Sequence, residues 1–201
     1  MIKTMYFDLG NVLVFFDHEK MYEQLSTLSG LSVATIRSML QENKTQHRYE
    51  TGLITTDELY NRFTQASPNP FSLEEFAYAA SNIFTPNEEI FPIIKEMKKQ
   101  KIRLILLSNT SECHFNYIFK TYPILSEFNE WVLSYKAGAC KPDPKIFEKA
   151  LKLAECPASN CFFVDDIHEY VQAARKAGLD SEVFSNTTIL KKHLADRQVF
   201  L

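Results

Sequence analysis

Cysteine is scarce in this chain: four residues in 201, Cys113, Cys140, Cys156 and Cys161, none of them in a C-x-x-C pair. That argues against a disulfide framework or a cysteine-ligated zinc site and predicts reduced thiols acting as small buried hydrophobes. A basic excess is also missing, since 22 Lys and Arg stand against 25 Asp and Glu for a formal charge of -3. The sequence therefore shows no footprint for nucleic acid or an anionic membrane, and a small molecule is the expected partner. No apolar run is long enough to span a bilayer, and Met1-Ile2-Lys3 leads straight into an apolar segment without room for a signal peptide. A soluble, cytoplasmic protein is expected, a monomer or homodimer. Internal repeats and low-complexity segments are absent as well.

What is present is ample material for a core: 45% hydrophobic residues and 16 Phe. Met5-Tyr6-Phe7 is too short for a stand-alone helix and too apolar for a half-solvated strand, as expected of a central strand in a parallel sheet. It delivers Asp8 to the strand tip. From about residue 16 to 84 the pattern is helical and strand-free. Asp17 and Ser32 are placed as N-caps, Gly30 as a terminator, and Thr55-x-x-Glu58 and Ser72-x-x-Glu75 as capping boxes. The polar stretch Gln46 to Glu50 breaks at Gly52. A further box, Thr85-Pro86-Asn87-Glu88, is expected to open a helix through Lys98.

Strands and helices then alternate. Ile102–Leu107 runs into Ser108-Asn109-Thr110-Ser111, a strand over 131–134 precedes Lys141-Pro142-Asp143-Pro144, and Cys161–Val164 ends in Asp165-Asp166. The fold class is α/β: a doubly wound parallel sheet with an inserted all-helical unit, the core formed by 1–15 and 85–201 and the insertion by 16–84. Four strand ends thus carry polar signatures that such a topology brings to one edge. Asp8, Asp165 and Asp166 offer hard oxygen ligands that suit Mg²⁺ and not zinc. Three neighbouring carboxylates also demand a cation. Lys141 supplies a point charge for a phosphoryl oxygen, and Ser108 with the amides around Asn109, at a helix start, can hold another.

These motifs, in this order, resemble the haloacid dehalogenase (HAD) superfamily along nearly the whole chain. Phe7-Asp8-Leu9-Gly10-Asn11-Val12-Leu13 is similar to its first motif, Leu107-Ser108-Asn109 to the second, Lys141-Pro142-Asp143-Pro144 to the third and Phe163-Val164-Asp165-Asp166 to the fourth. The insertion is similar to the family's helical C1 cap. The resemblance implies a Mg²⁺-dependent phosphatase acting on a small phosphate ester, a sugar phosphate among the candidates. Asp8 would be the nucleophile that forms an aspartyl-phosphate, and Asp8, the Gly10 carbonyl, Asp165 and Asp166 the metal ligands. Ser108, Asn109 and Lys141 would bind the transferring group, with Ser108 and Lys141 neutralising its charge.

The sequence departs from the family pattern two residues after Asp8, where a second Asp usually serves as general acid and base. Here that residue is Gly10. His168 is the replacement donor considered, with Tyr170 a second departure expected to alter local hydrogen bonding. A 2-haloacid dehalogenase, or a non-catalytic phosphate-binding protein on the same fold, are the alternatives. The Gln46 to Glu50 stretch, with His47, Arg48 and Tyr49, is a candidate for substrate contacts.

Overall fold

The computed structural model describes residues 1–200. The chain runs through β1 (Thr4–Phe7), β2 (Val14–Phe16), helices α1 (His18–Ser29), α2 (Val33–Gln41), α3 (Thr45–Glu50), α4 (Thr56–Ala66) and α5 (Leu73–Ser81), and then β3 (Phe84–Pro86). After it come α6 (Phe91–Lys99), β4 (Arg103–Ser108), α7 (Glu112–Thr121), β5 (Glu130–Leu133), α8 (Ser134–Ala137) and α9 (Pro144–Lys152). The last elements are β6 (Cys161–Asp165), α10 (His168–Lys176), β7 (Ser181–Val183) and α11 (Thr187–Asp196).

The main sheet has the order β5-β4-β1-β6-β7, with every pairing parallel. All four residues of β1 are buried, because helices cover both faces. Alternation along the strand divides them: Met5 and Phe7 join Leu104, Leu106, Phe162 and Val164 in one layer with α6, α7 and α11, whereas Tyr6 joins Ile105, Leu107 and Phe163 under α9 and α10. This is the doubly wound parallel sheet that the sequence predicts. Phe7 pairs with Leu106 on one side and Val164 on the other, so the ends of β1, β4 and β6 are neighbours.

Helices α1 to α5 bury a core of their own, built from Met21, Leu25, Ile36, Leu40, Leu59, Phe63 and Phe76. Their ends are set by the expected devices: Asp17 and Ser32 accept backbone N–H bonds as N-caps, Gly30 closes α1 in the left-handed region, and both expected capping boxes are complete. Two expectations need correction. The stretch 16–84 is not strand-free at its ends, since β2 and β3 pair antiparallel with Phe16 opposite Phe84. Thr85 is therefore in a strand, opposite Phe15, and caps nothing; Asn87 instead donates to the Val12 carbonyl at 2.8 Å, and α6 starts only at Phe91 after a 3-10 turn. The polar stretch before Gly52 is helical (α3), as the helical reading of 16–84 expects, and is reached through left-handed residues Asn43 and Lys44.

Candidate active site

The strand order decides which side chains meet. Asp8 follows β1 and Asp165 ends β6, and between them lies the ammonium of Lys141, from the loop between α8 and α9. Lys141 Nζ donates to Asp8 Oδ1 at 2.8 Å, to Asp165 Oδ2 at 2.5 Å and to the Leu107 carbonyl at 3.0 Å. Its side chain is fully buried, as is that of Asp165, and Asp8 is nearly so. Burial alone would push the lysine pKa down, but the two carboxylates hold it above the usual lysine range. Burial raises the Asp8 carboxyl to about 7; the ammonium opposes that rise and Asp165 adds to it.

Carboxylate oxygens of Asp8, Asp165 and Asp166 lie within 4.8 Å of one another. Three acids share one ammonium, which leaves the cluster short of positive charge. The Gly10 carbonyl accepts no hydrogen bond among the described residues. Asp166 accepts from the Asn11 amide at 3.0 Å, and Asp165 Oδ1 accepts the Ile167 N–H at 2.8 Å, which orients both acids. Hard oxygen donors, uncompensated charge and a free carbonyl fit a divalent ion of the Mg²⁺ type.

Ser108 is buried at the end of β4, and its hydroxyl reaches only the Asn109 carbonyl at a long 3.3 Å. The Asn109 side chain has a task of its own. Its side chain clamps the backbone of Lys141, accepting from the Lys141 N–H at 2.7 Å and donating to the Lys141 carbonyl at 2.9 Å, so its side chain positions the lysine loop. Asn109 does not stand at a helix start, because α7 begins three residues later. Ser134, at the start of α8, fastens the loop after β4, accepting from the Thr110 N–H at 2.9 Å.

Asp8, Gly10, Ser108, Asn109, Lys141 and Asp166 line one pocket of about 180 Å³. Its other walls were not legible as site residues: Phe16 and Phe84 from the hairpin, His18 at the start of α1, and His114 in α7. Tyr170 also lines it, with its ring 5.2 Å from the Lys141 ammonium and its hydroxyl accepting from Asn109. His168 is exposed at the start of α10, paired with Gln172, and does not line the pocket. Of the Gln46 to Glu50 stretch only Glu50 reaches it, while Tyr49 is buried against Thr56. A Cβ on Gly10 would lie 2.8 Å from Phe16 Cε1, so the phenyl ring fills the space that a side chain two residues after Asp8 would take.

With this geometry in place, comparison with known proteins is decisive at the family level. The sequence model of the haloacid dehalogenase-like hydrolases matches residues 2–178. The chain belongs to that family. This hydrolase is 24% identical over 188 residues to D-ribitol-5-phosphate phosphatase of Bacteroides thetaiotaomicron, covering 90% of this chain and 91% of that protein. It is 24% identical over 200 residues to drimenol cyclase DrtB of Aspergillus calidoustus, but spans only 36% of that longer protein. In structure it resembles a HAD family enzyme of B. thetaiotaomicron solved in complex with magnesium and inorganic phosphate, with a TM-score of 0.81, 23% identity, and coverage of 94% of this chain and 99% of that one. Among the described residues, no helix is long and apolar enough to cross a membrane.

Proposed function

We propose that this hydrolase is a Mg²⁺-dependent phosphatase that takes a small phosphorylated metabolite and works through an aspartyl-phosphate on Asp8. The observation that carries the reading is the buried Lys141 ammonium held between Asp8 and Asp165, with Asp166 completing an acidic cluster on the same pocket. Asp8 is the nucleophile: one of its oxygens bonds to phosphorus as the ester oxygen departs, and water then attacks phosphorus and frees the carboxylate. Lys141 opposes protonation of the carboxylate and neutralises charge on the transferring group, and Ser108 donates to a second phosphoryl oxygen. Asp8, the Gly10 carbonyl, Asp165 and Asp166 would hold the metal, which when bound adds electrostatic stabilisation of the phosphoryl oxygens. The relative acting on D-ribitol 5-phosphate supports a polyol or sugar phosphate as substrate.

The insertion over 16–84 acts as a cap on the core of 1–15 and 85–201, supplying Phe16, His18, Glu50 and Phe84 above the strand ends and so excluding water. Turnover of p-nitrophenyl phosphate tests the whole reading. Activity is expected with Mg²⁺, is lost with EDTA and is absent in Asp8→Asn. Equal rates for wild type and Asp8→Asn overturn it.

A further inference from the structure

Expulsion of an alkoxide or phenoxide from a phosphate ester is helped about 10²- to 10⁴-fold by a positioned proton donor. Most titratable groups in the pocket are already committed. Lys141 makes three hydrogen bonds to Asp8, Asp165 and the Leu107 carbonyl, and Asp166 belongs to the acidic cluster. His114 pairs its Nε2 with the Ala80 carbonyl at 3.0 Å, and burial pushes its pKa down to about 4, so the ring is neutral and spends its N–H on Ala80. The Tyr170 hydroxyl sits on the Asn109 amide, with its pKa raised by burial. Glu50 accepts from Gln46 at 2.9 Å.

His18 alone of these has no hydrogen-bond partner among the described residues. It is half-buried at the first position of α1, and its ring rests on that of Phe16 with centroids 4.8 Å apart. Phe16 is the ring that closes the space over Gly10. The hairpin strand thus blocks a side chain at position 10 and, two residues on, sets an imidazole on the wall of the same pocket. Resting on the phosphatase reading above, we propose that His18 is the proton donor and acceptor of the reaction. As Asp8 bonds to phosphorus and the phosphorus–oxygen bond to the leaving group breaks, the imidazolium gives its proton to the departing oxygen. The neutral imidazole then takes a proton from the attacking water as the Asp8–phosphorus bond breaks and inorganic phosphate leaves.

Two aryl esters that differ in the basicity of the leaving group test this with the Mg²⁺-loaded, full-length protein: p-nitrophenyl phosphate, whose phenolate leaves unaided, and phenyl phosphate, whose leaving group needs a proton. His18→Gln is expected to slow single turnover of phenyl phosphate about 10²-fold and p-nitrophenyl phosphate far less. Its affinity for phenylphosphonate, a non-hydrolysable probe, is expected to match wild type, and added imidazole is expected to raise the rate of His18→Ala. Equal losses on both esters, no loss on either, or a fall in phosphonate affinity matching the fall in rate would overturn the assignment. So would a leaving-group-dependent loss in Glu50→Gln and not in His18→Gln. If wild type turns over neither ester above the Asp8→Asn background, the phosphatase reading itself fails and this assignment falls with it.

Discussion

Lys141 holds two buried carboxylates apart by bonding both, and it is the residue on which the site's electrostatics turn. Removing one member of a buried ion pair typically costs about 3–5 kcal/mol. Lys141→Met is therefore expected to lower the free energy of urea unfolding by that order in EDTA, with part of the loss recovered when Mg²⁺ supplies the missing charge. A second residue-scale effect belongs to His114, pushed by burial from the usual 6.5 to about 4. Between those values the unfolded chain binds the proton and the folded one does not. The associated stability is full above about pH 6.5 and is lost as the pH falls towards 4, at up to about 1.4 kcal/mol per unit. His114→Gln keeps a donor for Ala80 and is expected to flatten that part of the stability curve measured by urea unfolding. Residues at this scale were unequally legible. Asp8, Ser108, Asp165 and Asp166 stand out because each lies at the end of an apolar strand run, and Lys141 because it opens the Lys-Pro-Asp-Pro loop. His18, His114 and Phe16 carry no such mark, since what brings them to the pocket is the path of a hairpin and the crossing of helices.

At the scale of elements, the helical insertion is joined to the core at particular contacts, and Gly52 marks one of them. It has φ of +71°, and a Cβ there would lie 2.2 Å from the carbonyl oxygen of Tyr135 in α8. Gly138, with φ of +68°, has nothing within 4 Å of its would-be Cβ and makes the control. A left-handed backbone costs a non-glycine residue about 1–2 kcal/mol. Gly138→Ala is expected to show that cost alone, whereas Gly52→Ala loses more, because α3 and α8 must also separate. Comparing their thermal unfolding midpoints checks this; equal shifts contradict it. Helix ends were legible from sequence where a side chain makes the cap, as at Asp17, Ser32, Thr55 and Ser72. The three-residue strands β2 and β3 were not, because so short a segment has no period to read, and Thr85 satisfies the pattern of a cap as well as that of a strand.

For the whole molecule, the strand order places the ends of β1, β4 and β6 side by side, and Phe16, His18, Glu50 and Phe84 from the stretch between β2 and β3 and its hairpin line the pocket there. The alternation of strands and helices makes that architecture legible, and the polar strand ends make its working edge legible. The wall contributed by the insertion depends on packing between two hydrophobic cores, which no local pattern encodes. On the proposed function, Asp8 is the phosphoryl acceptor. Single turnover with p-nitrophenyl phosphate and Mg²⁺, quenched in acid and followed by peptide mass spectrometry, tests it most directly. A phosphoryl group on the peptide carrying Asp8, absent in Asp8→Asn, is the predicted result; ester cleavage with no phosphoryl group on the protein, or with one on Ser108 instead, would contradict it.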